Sequence, residues 1–89
     1  MLVTFDPCKD TINCLKHGVS LVEATRLDWE HALTWLDTRR DYGEEREIAL
    51  AAIGNTLFYV VFVERHGGMR IISMRRATNK EIKRYVQTY

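Results

Sequence analysis

The chain has 89 residues, 46% hydrophobic and 28% charged, so we expect one globular domain over residues 1–89 and not a disordered chain. No apolar run approaches the roughly 18–20 residues that span a bilayer, and the first residues lack the basic start and apolar core of a signal peptide, so we expect a cytoplasmic protein without membrane contact. The net charge of +1 hides an uneven distribution: residues 65–89 contain seven Lys/Arg and one acid (+6), and residues 1–64 contain six basic and eleven acidic residues (−5), which indicates an anionic partner.

The N-terminal part predicts a short strand or extended lead-in at residues 3–5, followed by a helix. Asp6 and Pro7 form the helix start, because aspartate accepts unpaired backbone N–H groups and proline at the first helical position loses no hydrogen bond. Gly18 ends the helix in the usual left-handed conformation. One face of this helix is apolar and consists of Cys8, Ile12 and Leu15.

A second helix is predicted to begin at Ser20, which forms the capping box S-x-x-E with Glu23. Its apolar surface comes from Val22, Leu27 and Trp29. The sequence therefore predicts two N-terminal helices.

Four strands are predicted after the helices, at residues 32–36, 46–53, 57–64 and 69–76. The third of them, LFYVVFVE, is so rich in aromatic and β-branched residues that we expect it at the centre of the sheet. A charged loop, DTRRDYGEER, separates the first two strands, and turns at Gly54 and Gly67 join the others.

A closing helix begins with a second capping box, formed by Thr78 and Glu81. Its apolar face consists of Ile82, Tyr85, Val86 and Tyr89. The predicted order is two N-terminal helices, a four-stranded antiparallel sheet and a C-terminal helix, which is an α+β fold.

Cysteine and histidine usage predicts neither a metal nor a cofactor. Cys8 and Cys14 lie on one predicted helix in positions poorly suited to a mutual disulfide, and we interpret them as small apolar core residues in a reducing compartment. The histidines at positions 17, 31 and 66 are scattered, and no Asp/Glu/His group has the spacing of a metal site.

The segment DPCKDTINCLKHGVS at residues 6–20 resembles the start of the BrnT toxin family, whose pattern is aromatic-Asp-x-x-Lys-x-x-x-Asn-x-x-Lys-His-Gly-Val-Ser. The matching positions are Phe5, Asp6, Lys9, Asn13, Lys16, His17, Gly18, Val19 and Ser20. Two later blocks, GEER at 43–46 and RIISMRRA…E…Y at 70–85, match in order and spacing. The resemblance covers almost the whole chain.

The resemblance implies a small ribonuclease with a RelE-like fold, acting as the growth-inhibiting toxin of a type II toxin–antitoxin pair. It also implies a BrnA-like ribbon-helix-helix antitoxin in a hetero-oligomer, with operator DNA bound only through that antitoxin. A ribonuclease without a metal must deprotonate the 2′-OH of RNA, stabilise the phosphate charge and protonate the leaving 5′-oxygen.

Three arginines of the last predicted strand are the main candidates for phosphate stabilisation, because a guanidinium donates two hydrogen bonds to two oxygens. Simple alternation places Arg70 and Arg76 on one face and Arg75 on the other. Any one of them is as readily explained by surface exposure or pairing with a glutamate. Arg26 lies outside this cluster in the sequence and is the predicted control.

His17 is the one histidine inside a matched motif, and it is a candidate general acid or base. At a helix C-terminus the dipole favours its cationic form, which predicts a pKa near neutrality. A capping role in the Gly18 turn explains the same residue slightly better.

Glu45 completes the candidate catalytic set as a possible base, although arginines nearby would lower its pKa. An ion pair that fixes the basic strand is the preferred interpretation for either Glu44 or Glu45. The candidate RNA-binding residues are Lys16, Arg46, Arg65, Lys80, Lys83, Arg84 and Tyr85. Trp29 and Trp35 could stack on bases but are better explained as buried anchors.

Two classes of function remain open from the residues themselves. One is a metal-independent ribonuclease toxin, and the other is a basic module that binds RNA or an acidic partner without cutting. Only the family resemblance favours the ribonuclease.

Overall fold

A five-stranded mixed sheet forms the middle of this computed structural model, which describes residues 2–88. The strands are β1 (Leu2–Phe5), β2 (Leu33–Leu36), β3 (Glu47–Ile53), β4 (Thr56–Arg65) and β5 (Gly68–Arg76). Their order across the sheet is β1-β5-β4-β3-β2, so β4 is central, as its apolar sequence predicts. The fold is α+β, but the predicted four-stranded antiparallel sheet is wrong.

The additional strand is β1, which pairs with β5 in the parallel direction and makes the sheet mixed. Val3 and Phe5 turn toward the core on one side of the sheet. Gly68 permits this close pairing, because a Cβ atom there would lie 2.8 Å from the carbonyl oxygen of Leu2. The partner of residues 2–5 lies more than 60 positions away in the chain, so local pattern gives no sign of it.

The prediction of two N-terminal helices is also wrong. Helix α1 (Pro7–His17) is followed by two 3₁₀ segments, Leu21–Arg26 and Trp29–His31. The buried side chains of this region, Leu21, Ala24 and Leu27, recur every three residues. That spacing matches the three residues per turn of a 3₁₀-helix, whereas an α-helix has 3.6.

Only one of the two predicted capping boxes forms completely. The hydroxyl of Ser20 accepts a hydrogen bond from the N–H of Val22, but Glu23 pairs with Arg26. At the C-terminal helix α2 (Asn79–Thr88), the box is reciprocal: the carboxylate of Glu81 accepts from the N–H of Thr78, and the hydroxyl of Thr78 accepts from the N–H of Glu81.

The sheet separates two apolar clusters. On the back face, Leu21 and Ala24 of the first 3₁₀ segment and Leu27, which caps its end, pack against β3, β4 and β5. On the front face, Tyr59 and its neighbours on β3 and β4 contact Tyr85 of α2. Helix α2 has no fully buried residue: Ile82 is 39% and Val86 65% exposed, and Tyr89 lies outside the described residues.

Helix α1 turns its apolar side to solvent and a polar side to the sheet, which is the opposite of the predicted packing. Asp6 caps its start and Gly18, with φ +71°, caps its end as predicted. Its buried residue is the polar Asn13, whereas Leu15 is 85% exposed. Ile12, Cys8 and Cys14 are exposed too, so the interpretation of the cysteines as core residues is wrong.

None of the helices in residues 2–88 is long and apolar enough to cross a membrane.

Candidate active site

A register shift in β5 decides where its three arginines point. The ladder pairs Ser73 with Val61 and then Ile71 with Phe62, so Ile72 is an extra residue, a β-bulge. Residues that pair directly across antiparallel strands share a face. The bulge therefore interrupts the alternation between the two ends of the strand.

Arg70 and Arg75 consequently share the front face, and Arg76 lies on the back face. Arg75 pairs opposite Tyr59 of the front cluster, and Arg76 opposite Phe58 of the back cluster. The predicted grouping of Arg70 with Arg76 is wrong, because simple alternation does not allow for the extra residue.

A groove of about 260 Å³ lies between α1 and β5. It contains two predicted site residues, Lys16 and His17, together with Lys9 of the same motif. Its other lining residues are Ile12, Asn13, Ile72 and Ser73. The bulge residue Ile72 thus contributes to a concave surface with three basic side chains.

Asn13 fixes the wall of this groove against the sheet. The pairing of β1 with β5 ends at Ile71. Further along β5, the side chain of Asn13 forms hydrogen bonds to the strand's backbone where β1 no longer does. Its Oδ1 accepts from the N–H of Met74 at 3.2 Å, and its Nδ2 donates to the carbonyl oxygens of Met74 at 2.7 Å and Val19 at 2.8 Å. This buried amide uses both its donors, so it holds the His17 end of α1 at a defined position.

His17 has a lowered pKa, opposite to the direction that the helix dipole predicts. Burial is the largest cause, followed by the positive charges of Lys16 and Arg75. The side chain is therefore mainly neutral near pH 7, which is the form that accepts a proton. The charge of Arg75 is the smallest of these causes, so Arg75 lies within electrostatic range of His17.

Arg75 is held in a defined orientation. Its Nη1 and Nη2 donate to the two carboxylate oxygens of Glu81 at 2.8 and 2.9 Å, and Nη1 also donates to the carbonyl oxygen of Arg76. The guanidinium lies 4.0 Å from the ring centre of Tyr59. An arginine has five N–H donors, so the Nε–H and one Nη2–H, which form a second fork, have no partner among the described residues.

Arg39, in the loop between β2 and β3, is a further ordered arginine that is not among the predicted site residues. It donates from Nε and Nη2 to the carboxylate of Asp37, both at 2.8 Å, and the hydroxyl of Tyr42 donates to the same carboxylate. These bonds, led by those from Arg39, hold the pKa of the buried Asp37 well below its usual range. The charge of Arg39 also influences the pKa values of Tyr59 and Arg75, so Arg39 lies within electrostatic range of both.

A signal for Arg39 is present in the sequence. Asp37 and Arg39 are two residues apart, and the carboxylate also accepts the N–H of Arg39 at 3.1 Å, which is an Asx turn. The prediction of a uniform charged loop overlooked this local structure.

Arg76 lines a separate pocket on the back face. The charged neighbours there are Glu23 and Arg26, which pair with each other at 3.1 Å. Arg26 therefore lies beside Arg76 and is a poor control for it.

Other predicted residues lie at the opposite end of β5. Arg65 and Arg70 line a pocket of about 250 Å³ at the turn between β4 and β5. Glu44 pairs with Arg65 at the end of β4 at 3.0 Å, and not with an arginine of the basic strand β5 as predicted for one of the two glutamates. Glu45 is exposed and lies near Glu47, whose pKa it helps to raise after burial and Glu64.

Glu45 is therefore not brought together with His17 and Arg75. Glu47 pairs opposite Phe62, whereas Arg75 pairs opposite Tyr59, three positions further along β4. At about 3.3 Å per residue this is roughly 10 Å along the strand.

Arg46 stacks on the ring of Tyr42 at 4.1 Å, and its buried Nε has no hydrogen-bond partner among the described residues.

The remaining candidates lie on α2. Arg84 stacks on Trp35 at 4.0 Å, and the hydroxyl of Tyr85 donates to the carbonyl oxygen of His31. Lys80 and Lys83 are exposed.

Trp29 donates from Nε1 to the carbonyl oxygen of Ala24 and packs edge-on against Phe62, as expected of an anchor. Within residues 2–88, no three His, Cys, Asp or Glu side chains are grouped to hold a metal ion.

Comparison with protein families now identifies the chain's relatives. Residues 5–81 match the family described as the ribonuclease toxin, BrnT, of a type II toxin-antitoxin system. The chain belongs to this family. BrnT membership confirms the resemblance read from the sequence and indicates a ribonuclease toxin with an RNA target and an antitoxin partner.

A solved structure supports the fold. The crystal structure of the Brucella abortus ribonuclease toxin BrnT is similar with a TM-score of 0.68, and the alignment covers 86% of this chain and 96% of that one at 23% identity. No match is found among curated protein sequences.

Proposed function

We propose that this BrnT protein is a metal-independent endoribonuclease that uses the groove between α1 and β5 together with Arg75. The observation that carries the proposal is that His17 lines a basic groove with a lowered pKa, to which the charge of Arg75 contributes, while the second fork of Arg75 is unoccupied. Cleavage of RNA inhibits translation and growth. A BrnA-like ribbon-helix-helix antitoxin neutralises the toxin in a cytoplasmic hetero-oligomer and alone contacts operator DNA.

The first step is attack of the 2′-oxygen on the adjacent phosphorus. Neutral His17 accepts the 2′-hydroxyl proton, and a positioned base of this kind contributes about 10²–10⁴-fold to the rate. The Nε/Nη2 fork of Arg75 binds two phosphate oxygens and stabilises the charge that develops on them. Lys16 adds a second positive charge in the groove.

The leaving 5′-oxygen lies opposite the attacking oxygen in an in-line displacement and takes its proton from water. His31 pairs with Asp28 and His66 occupies the β4–β5 turn, so neither provides a second acid at the groove. Breakage of the P–O5′ bond leaves a 2′,3′-cyclic phosphate on one product and a 5′-hydroxyl on the other.

The test is cleavage of a short RNA by the purified protein in excess chelator. We expect cutting, a 2′,3′-cyclic phosphate end, and no cutting of a substrate with 2′-deoxyribose at the cut site. Cleavage that requires magnesium would contradict the mechanism, and RNA that is bound but never cut would support the non-catalytic binding module.

His17→Ala separates the chemical role from the capping role. A chemical role predicts a cleavage rate lower by about 10²–10⁴-fold with unchanged RNA affinity. A purely capping role predicts a lower melting temperature with little loss of rate in the folded fraction. His31→Ala is the matched control, because that ring is exposed and does not line the groove.

A further inference from the structure

Helix α1 presents an apolar face to solvent. Cys8, Ile12 and Leu15 are separated by four and three residues, which places them on one side of an α-helix. Ile12 is 61% and Leu15 85% exposed, while the face toward the sheet carries the buried Asn13. Single exposed apolar side chains are common, but a helix usually buries its apolar face. This reversed arrangement is typical of a helix that is completed by a partner.

Positive charge borders the apolar face along one side. Lys9 and Lys16 lie next to Ile12 and line the groove described above. Neither lysine has an ion pair among the described residues, so both charges are available to a partner. The surface defined by Cys8, Ile12, Leu15, Lys9 and Lys16 is called the α1 surface below.

We propose that the α1 surface binds an acidic amphipathic segment of the antitoxin, an inference that rests on the toxin–antitoxin function proposed above. Apolar residues of the segment cover Ile12 and Leu15, and its carboxylates pair with the two lysines. A second copy of this chain fits poorly, because two α1 surfaces packed together would bring lysines against lysines.

The same placement explains how the antitoxin neutralises the toxin. Lys16 and His17 line the groove that borders the α1 surface. An antitoxin segment bound there fills the space that RNA needs and neutralises the positive charge that RNA would contact. Antitoxin and RNA therefore compete for one region of the protein.

Leu15 gives a sharp test, because it is exposed and does not line the groove. Leu15→Gln removes apolar area, and Leu15→Glu also adds a charge that repels an acidic segment. Leu36→Glu is the matched control: Leu36 is 50% exposed and lies on β2, at the opposite edge of the sheet. The probe is the purified protein encoded by the reading frame next to this chain's gene, and binding is measured by calorimetry.

We expect Leu15→Gln to weaken binding about tenfold and Leu15→Glu about a hundredfold, as for a central interface residue. RNA cleavage without the antitoxin stays within about twofold of wild type for all three variants, because an exposed substitution costs little stability. The antitoxin stops cleavage by wild type and Leu36→Glu, but not by Leu15→Glu.

Equal antitoxin affinity for wild type and Leu15→Glu, or a loss confined to Leu36→Glu, would overturn the proposal. So would a wild-type homodimer that Leu15→Glu dissociates, since the face would then belong to a second copy. If the wild-type protein cuts no RNA, the calorimetric comparison still decides the binding surface, so failure of the enzyme mechanism is distinguished from failure of this proposal.

Discussion

Arg75 and Arg76 are neighbours in the chain, yet they occupy different environments on opposite faces of the sheet. Arg75 is fixed by Glu81 and Tyr59 and lies close enough to His17 to lower its pKa. Arg76 is exposed and faces a pocket in which other charges already pair. Density of positive charge along a sequence therefore does not indicate a single binding surface.

The seven basic residues of the C-terminal part are in fact divided among four places. Arg75 lies at the front of the sheet, Arg76 at the back, Arg65 and Arg70 at the far turn, and Lys80, Lys83 and Arg84 on α2. The front site instead gains positive charge from earlier in the chain, through α1 and Arg39. A functional surface is assembled by the fold from residues far apart in sequence.

The largest expected difference between the two arginines is in cleavage. Arg75→Ala removes a charge-assisted contact to phosphate, typically worth roughly 1.5–3 kcal/mol, and should lower kcat/KM on the order of ten- to a hundredfold. Arg76→Ala should change it by less than about threefold, because an exposed side chain away from the site contributes little. Single-turnover cleavage of one RNA by both purified variants measures this.

Arg75→Lys is a control that keeps the positive charge but lacks the paired N–H donors of a guanidinium. It should be more active than Arg75→Ala and less active than wild type, because an ammonium group does not bind two oxygens in parallel. Melting temperatures identify any loss that comes from leaving Glu81 unpaired. A larger loss for Arg76→Ala than for Arg75→Ala would place the active site on the back face.

Much of the fold was predictable because its signals are local. The central position of β4, the caps of α1 and the capping box of α2 each depend on residues within a few positions of one another. The parallel pairing of β1 with β5 could not be predicted, because it joins segments that are far apart in the sequence. The 3₁₀ segments were missed because a capping residue marks the start of either helix type.

The candidate site was predicted in part. The motif K-H-G-V-S indicated Lys16 and His17, and the strand pattern indicated Arg75. A bulge is invisible in the pattern of β5 itself, so the faces of Arg70 and Arg76 could not be assigned. Cys8, Ile12 and Leu15 show the opposite failure: their helical spacing is correct, but the polar contacts of Asn13 turn them outward.

A smaller effect is expected from Glu81, which positions Arg75 without contacting RNA in the proposed mechanism. Glu81→Gln removes the charged partner from one fork, so the other fork is less well oriented, and we expect cleavage to fall roughly three- to tenfold, an interaction of order 1 kcal/mol. In the Arg75→Ala background the same substitution should have no further effect. Thr78→Ala is the matched control, since it removes a capping hydroxyl and leaves the Arg75–Glu81 pair in place.

An additive loss in the double variant would mean that Glu81 acts independently of Arg75. Equal losses of rate for Glu81→Gln and Thr78→Ala, with equal losses of melting temperature, would assign Glu81 a stabilising role only. Melting and single-turnover cleavage are therefore measured on the wild type and the same four variants.

The smallest expected difference is in pH dependence. Burial, Lys16 and Arg75 lower the pKa of His17 below its ordinary value of 6.5, in that order of importance. If neutral His17 is the base, the acid limb of the wild-type kcat/KM profile lies below pH 6.5, because activity falls only when the folded protein takes up that proton. The same depression means that folding stability declines as pH falls through 6.5, since the unfolded chain binds the proton first.

Arg75→Ala removes one of the three causes and should move the acid limb to higher pH, whereas Arg76→Ala should leave it in place. Arg75→Lys keeps the charge and should keep the limb near its wild-type position, even though its rate is lower. The shift is small because Arg75 is the least of the three causes. Profiles of kcat/KM between pH 4.5 and 8, together with titration of the His17 ring by NMR, measure it. Identical acid limbs in the Arg75 and Arg76 variants, while NMR shows that the His17 pKa rises in Arg75→Ala, would show that the titrating group in cleavage is not His17.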